Sequence, residues 1–138
     1  MSNDNEYPRP HADADNQPML DAWQRGQLLL QHCDACDTAI FYPRPLCPQC
    51  WSEQLSWREA SGNGQIVAFS LVHRPNHPSF NDETPIVLAE VALSEGPSMI
   101  TRIVGCNADA VRSGMPVSLV TGDECSRYPL PTFMLDSP

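Results

Sequence analysis

Four cysteines occur as two matched pairs near the first third of the chain. Cys33 and Cys36 form one C-x2-C unit, Cys47 and Cys50 form a second, and ten residues separate the two units. Each unit can bend in a tight turn that points both sulfurs the same way, so two facing units present four thiolates tetrahedrally, as structural zinc prefers. Because four thiolates leave no open coordination position, we predict one structural zinc ion with no catalytic role.

Two other uses of these cysteines stay open from the sequence. Disulfides would use the same side chains, although paired local spacing is more typical of a metal site than of a disulfide framework. An iron centre of the rubredoxin type would also use four thiolates, with a longer segment expected between the pairs. His32 precedes Cys33 and is predicted to be a neighbour of the metal site rather than a ligand. The free energy of metal binding at such a site contributes to the free energy of folding. Loss of one ligand should therefore unfold the module.

Two further cysteines lie outside the paired units. Cys106 follows an apolar segment and Gly105, which favours a small, half-buried hydrophobic role. Cys125 has acidic neighbours in Asp123 and Glu124, which disfavour a reactive thiolate. We therefore predict that neither is a nucleophile.

The segment 73–85, HRPNHPSFNDETP, offers another set of chemically capable side chains. A loop of this length between strands suggests a role, and His73, Arg74 and Phe80 are predicted ligand contacts within it. The alternative is a proline-braced loop whose histidines are solvated. As an acid–base pair His73 and His77 would need an orienting partner, and none is evident. No nucleophile elbow, metalloprotease motif or phosphate loop occurs, so we predict no catalytic residues.

The elements around these residues are predicted from composition and periodicity. Residues 1–18 are polar and proline-containing, which predicts a disordered arm. Residues 19–30 form an N-terminal helical segment, with a short helix near 19–25 that Gly26 ends. Residues 31–58 form the zinc ribbon, with a strand starting near Leu55. Residues 59–138 are predicted to be a small β-barrel of the OB type, although another small β-sandwich stays open.

Alternating apolar patterns predict the barrel strands. In the first strand we expect Val67, Phe69 and Leu71 to share a half-buried face, and the second strand should be buried on most of both faces. One helical or irregular insert is expected near 107–113. The predicted strands are 65–73, 86–93, 99–104, 117–121 and 131–135.

Charge and hydropathy exclude some classes of partner. The formal net charge is −9, and all eight basic residues are arginines. Nucleic-acid affinity depends on neutralising phosphates with basic residues, so the field of this chain opposes DNA or RNA. No stretch reaches the roughly 18 apolar residues that a membrane helix needs, and the N-terminus lacks a secretory pattern. We predict a cytoplasmic protein with no membrane partner.

The order of motifs resembles the bacterial and archaeal zinc-ribbon OB-fold family that is associated with acyl-CoA metabolism. The resemblance covers about 19–135 and lies in the paired cysteines, the segment Phe41–Pro45 (FYPRP), and the G-x-P-V near Gly114. It implies a mainly β protein with an N-terminal helix, a rubredoxin-like zinc ribbon and a C-terminal OB-fold β-barrel. It also carries over the four cysteine ligands.

The resemblance further implies a non-catalytic accessory subunit. Its partner would be a thiolase-like or aldolase protein or a hotdog-fold enoyl-CoA hydratase, whose acyl-CoA site it helps to form. On that hypothesis Arg74 and Arg102 would contact phosphate, because guanidinium forks match phosphate oxygens, while His73 and Phe80 would line the thioester or adenine. A homo-oligomer is also compatible with the sequence. The alternative function is a single-stranded nucleic-acid-binding OB-fold and zinc-ribbon protein, which the charge opposes.

Overall fold

The computed structural model describes residues 7–136, apart from the side chains of Glu124 and Ser126. The predicted disordered arm therefore lies partly outside the described residues, and its mobility stays a prediction. The prediction of a mainly β chain with one short N-terminal helix, a four-cysteine ribbon and a closed five-strand barrel is confirmed. Within 7–136 no helix is long and apolar enough to span a membrane.

The N-terminal helix α1 spans Gln17–Gln24, two residues earlier than predicted. Pro18 lies in its first turn, where its missing N–H costs nothing. The helix is followed by Gly26 at φ 79°, whose N–H donates to the carbonyl of Trp23 at 2.9 Å. Trp23 is fully buried, and its indole N–H donates to the carbonyl of Tyr128 at 2.6 Å. Burying such a side chain contributes roughly 1.5–3 kcal/mol, which fixes the helix on the body of the protein.

The ribbon is a three-stranded antiparallel sheet. It consists of β1 (Leu29–Cys33), β2 (Thr38–Ile40) and β3 (Leu55–Glu59), in the order β2-β1-β3. Cys33 pairs with Thr38 on one side and with Leu55 on the other. The central strand therefore ends at the first metal-binding residue, which holds that residue between two neighbours.

The C-terminal part is a closed barrel with the strand order β4-β5-β6-β8-β7. Neighbouring strands are antiparallel except β6 and β8, which run parallel. Short 3-10 helices at Pro78–Glu83 and Ala108–Ala110 interrupt the loops, and a helix α2, Asp123–Arg127, precedes the last strand. The strands are β4 (Asn63–Val72), β5 (Ile86–Leu93), β6 (Ser98–Val104), β7 (Pro116–Leu119) and β8 (Thr132–Leu135).

The predicted shared face of the first barrel strand is wrong at Val67. A β-bulge between Ile66 and Ala68 shifts the register, so Val67 is 48% exposed. Phe69 and Leu71 do share a face, because they lie opposite the buried Ala89 and Val87 of β5. A bulge adds one residue to one strand and reverses the alternation beyond it. Leu71 still packs against the core.

The ribbon and the barrel share one apolar core. Leu28 and Leu30, next to and within β1, belong to the same buried cluster as the barrel residues Val91, Val117 and Phe133. Close packing there also explains Gly64, because a Cβ at that position would lie 2.5 Å from Val91 Cγ1. The start of the ribbon is thus anchored in the barrel, while a second, smaller cluster lies around the cysteines.

Candidate metal centre and its surroundings

The four paired cysteines converge at the tip of the ribbon. Their sulfur atoms all lie within 4.8 Å of one another. The Cys33 and Cys50 sulfurs are 3.5 Å apart, and the Cys36 and Cys47 sulfurs are 3.6 Å apart. Bonds of about 2.3 Å in a tetrahedral zinc site place sulfurs roughly 3.8 Å apart, so the donor set fits this ion.

The two C-x2-C turns have the same local geometry. The backbone N–H of Asp37 donates to the carbonyl of Cys33 at 2.8 Å, and that of Trp51 donates to the carbonyl of Cys47 at 2.9 Å. Asp37 and Trp51, which follow the second cysteine of each unit, both have left-handed backbones, with φ of 60° and 66°. The shared turn brings both sulfurs of each unit to the same side, as the spacing predicts.

Hydrogen bonds and mutual proximity give the thiols of Cys47 and Cys50 different pKa values. Burial raises the pKa of Cys47, but the backbone N–H groups of Cys50 and Gln49 outweigh it and lower that pKa to about 6. The Ser52 backbone N–H lowers the pKa of Cys50, but hydrogen bonding with Cys33 and burial outweigh it and raise that pKa to about 12. Because thiolate is the form that binds metal, zinc binding releases the remaining protons.

His32 lies beside the cysteine cluster and outside it. Its ring nitrogens are 3.2 Å from Asp34 Oδ1 and 2.7 Å from Asp37 Oδ1. Hydrogen bonds from His32 and from Ser56 hold the pKa of Asp34 below its usual value. His32 therefore links the two ends of the first turn, which agrees with its predicted place as a neighbour.

The predicted ligand contacts do not form one group. His73 and Arg74 are exposed at the start of the loop after β4, whereas Arg102 is buried in β6. Arg102 Nη1 donates to Glu83 Oε1 at 2.5 Å, and its guanidinium lies 3.8 Å from the centre of the Tyr128 ring. Phe80 is half-buried close to this pair. Their contact with an acyl-CoA stays a prediction.

Tyr7 completes a cluster that sequence reasoning missed. Its ring centre lies 5.0 Å from that of Phe80 and 4.9 Å from that of Tyr128. Its hydroxyl donates to Glu83 and accepts a hydrogen bond of 2.6 Å from Arg127 Nη1. The signal in the sequence is weak, because Tyr7 is a lone tyrosine in a polar segment and meets partners more than 70 residues away.

Within residues 7–136, apolar side chains are exposed on two surfaces that concern binding. One lies on the ribbon, where Trp51 is 76% exposed beside Pro45, Leu46 and Pro48. The other lies on the outside of the barrel, where Leu88 and Ile100 line a shallow groove. The second cysteine turn thus presents a large apolar side chain next to the metal site.

A four-thiol ribbon joined to a closed five-strand barrel defines the class of zinc-ribbon OB-fold proteins. Residues 20–56 match the family described as ChsH2, rubredoxin-like zinc ribbon domain, and residues 57–122 match ChsH2, C-terminal OB-fold domain. The chain belongs to this family, whose members are also called DUF35 proteins. The family assignment supports zinc rather than iron at the four cysteines.

Curated relatives carry names from enzyme complexes. A probable enoyl-CoA hydratase alpha subunit of Thermomonospora curvata is 38% identical over 126 residues, which is 91% of this chain. The chain spans only 39% of the length of that relative. A DUF35 domain-containing scaffold protein of Methanothermobacter thermautotrophicus is 34% identical over 98 residues, 70% of this chain and 73% of that protein.

A solved structure described as the Ltp2-ChsH2(DUF35) aldolase contains a chain that resembles most of this one. The TM-score is 0.81 at 37% sequence identity, and the match covers 92% of this chain and 98% of the other. The similarity therefore includes the helix, the ribbon and the barrel together.

Proposed function

We propose that this chain is a non-catalytic accessory subunit of an acyl-CoA enzyme complex. Its partner would be a thiolase-like aldolase or an enoyl-CoA hydratase, which carries the catalytic residues. The observation that carries the proposal is the match to nearly the full length of a chain in the Ltp2-ChsH2(DUF35) aldolase. The hydratase and scaffold names of the curated relatives support the same role. On this proposal the protein works in the reducing cytoplasm, where its thiols stay available to zinc.

Zinc would have an architectural role in such a subunit. Cys33, Cys36, Cys47 and Cys50 would hold the ion, and a shell of four thiolates supplies no open position for substrate. The chain's own residues then shape the surface around the ion, above all the turn that ends at Trp51.

Trp51 is the proposed centre of the partner interface. A bulky residue in a left-handed backbone costs about 1–2 kcal/mol, and exposure of the indole to water adds no packing that offsets this. Trp51 nevertheless has both properties, with φ of 66° and 76% of its surface exposed. Tryptophan is enriched among residues that dominate interface affinity, so burial against a partner accounts for its presence.

Acyl-CoA contact is the finer part of the proposal. His73 and Arg74 are exposed on the loop after β4, so they are accessible to a phosphate or a thioester without rearrangement. Arg102 would first have to exchange Glu83 for a phosphate, which makes it the costlier contact. We therefore place Arg74 first among the predicted phosphate ligands.

Co-purification from the native host tests the subunit role. A tagged chain should recover a thiolase-like or hydratase protein in near-stoichiometric yield. Recovery of the zinc-loaded chain alone, from cells that express such enzymes, would overturn the proposal.

A pair of variants tests the surface. Trp51→Gly suits the left-handed backbone, so it should keep zinc and folding stability while weakening the complex by at least about tenfold. Ile100→Ser removes the most exposed apolar side chain of the barrel groove and is expected to leave the complex intact. The reverse result would place the partner on the barrel rather than on the ribbon.

A further inference from the structure

The side chain of Tyr7 lies in a cluster of aromatic and charged side chains from three other segments of the chain. Its walls are joined by contacts in which Tyr7 takes no part. Arg102 is bonded to Glu83 and stacked on Tyr128, and the ring centres of Phe80 and Tyr128 lie 6.2 Å apart. The loop after β4, the strand β6 and the segment after α2 therefore meet to form these walls.

Tyr7 enters this site from the segment that precedes α1. It is half-buried, but the following residues Pro8 and Arg9 are exposed. The ring is held by Phe80, Tyr128 and the guanidinium of Arg127, whose Cζ lies 5.4 Å from its centre. The contacts that hold this segment in the site are therefore those of the Tyr7 ring and hydroxyl.

The polar edge of the site defines the ligand that would replace the ring. The Tyr7 hydroxyl donates to Glu83 and accepts from Arg127, so the site presents an acceptor and a donor side by side at the end of an aromatic slot. Adenine has the complementary edge, because its N6 amino group donates and the adjacent N7 accepts. Its ring also stacks on aromatic and guanidinium groups.

Basic side chains are concentrated at this position. Arg102 and Arg127 lie at the site, and Arg9 lines the adjoining surface cavity of about 510 Å³. Arg9 and Arg127 line that cavity together with Asp82 and Glu83, whereas Arg102 is buried against Glu83. Arg9 and Arg127 are therefore the guanidinium groups that can contact the phosphates of a ligand whose base lies in the slot.

We propose that the Phe80, Tyr128, Glu83 and Arg127 site binds the adenine base of an adenine nucleotide, and that Tyr7 occupies the position of that base until the ligand displaces it. The proposal deepens the proposed function, since coenzyme A carries an adenine nucleotide, and rests on it for the identity of the natural ligand. Tyr7 then acts as an internal competitor. If it is docked about nine-tenths of the time, it lowers the apparent affinity about tenfold.

Calorimetric titration of the full-length, zinc-loaded chain with ADP and with coenzyme A tests this. Tyr7→Ala should bind both about tenfold more tightly than the unmodified chain. Arg127→Ala in the Tyr7→Ala background should abolish the gain, and circular dichroism verifies that both variants are folded. Ile100→Ser is the control, because it removes an exposed apolar side chain elsewhere and should leave ADP affinity unchanged.

IDP distinguishes adenine recognition from attraction of phosphate alone. Inosine places a carbonyl oxygen where adenine has its amino group, and that oxygen would face the Glu83 carboxylate. In Tyr7→Ala we expect IDP to bind at least about tenfold more weakly than ADP, since an unpaired polar contact is costly. Equal affinities for the two, or no gain in Tyr7→Ala, would overturn the site. That outcome would leave co-purification with a partner enzyme unaffected, so the two proposals fail separately.

Discussion

The side chain of Gln31 forms a reciprocal pair of hydrogen bonds with the backbone of Arg44. Gln31 Nε2 donates to the Arg44 carbonyl at 2.9 Å, and the Arg44 N–H donates to Gln31 Oε1 at 2.8 Å. The side-chain amide thus makes the two hydrogen bonds that the backbone of a neighbouring strand would make. It holds the proline-rich segment between the two cysteine turns against β1. This buried contact therefore positions Cys47 relative to Cys33 without a contribution from the metal ion.

Gln31→Leu should destabilise the zinc-loaded protein by about 1–3 kcal/mol, because it keeps the side-chain volume and leaves two backbone groups without their partner. Urea unfolding followed by tryptophan fluorescence measures the change. Gln65→Leu is the control, since Gln65 makes one exposed bond of 3.0 Å to the Gly114 carbonyl and should change stability by less than about 0.5 kcal/mol. Equal losses of unfolding free energy in the two variants would show that the buried Gln31 hydrogen bonds stabilise the protein no more than the exposed Gln65 bond does.

Cys47→Ser should abolish stoichiometric zinc and unfold the ribbon, because a structural site needs all four thiolates and its binding energy is folding energy. Zinc content by atomic emission and near-ultraviolet circular dichroism report the two effects. We expect the barrel to lose stability as well, since Leu28 and Leu30 connect the ribbon to its core. Cys106→Ser is the control, as its sulfur lies outside the cluster, and it should retain one zinc per chain. Full zinc content in Cys47→Ser would refute the four-cysteine site.

The elements that local patterns determine were predictable, and those that depend on distant contacts were not. The spacing of Cys33, Cys36, Cys47 and Cys50 is a property of two tight turns. The metal site could therefore be predicted from the sequence without knowledge of the fold. The bulge at Val67 has no local signature, because it depends on how β4 pairs with β5. Helix α2 was not predicted for a different reason, because its five residues are too few for a periodic pattern.

The surroundings of Arg102 illustrate the same limit. The sequence predicts Arg102 as a ligand contact, but it does not predict that Glu83 and Tyr128 from two other segments cover this side chain. Only the closed barrel brings these residues to one place, and with them Tyr7 from before the first helix. The metal site could therefore be predicted residue by residue, whereas the aromatic site could not.

Docking of Tyr7 should weaken in the alkaline range. Burial, followed by the hydrogen bond and the charge of Glu83, raises the pKa of Tyr7 above its ordinary value of 10.0. A raised pKa means that the folded state favours the protonated phenol, so the contribution is complete below pH 10 and is lost as pH rises through the folded pKa. The absorbance difference at 295 nm between the unmodified chain and Tyr7→Phe should give a midpoint above 10. A midpoint at or below 10 would mean that the ring is not docked.

Glu83 and Arg102 should be coupled strongly in a double-mutant cycle. Glu83→Gln removes the carboxylate from a guanidinium that is only 3% exposed, and loss of one partner of a buried pair costs about 3–5 kcal/mol. Arg102→Met removes the buried charge as well, so the double variant should be less destabilised than the sum of the two single variants by at least about 1 kcal/mol. Urea unfolding of the four zinc-loaded proteins measures this coupling. Additive losses would show that the two side chains stabilise the barrel independently, and Arg102 would then be free to exchange its carboxylate for the phosphate of a ligand at little cost.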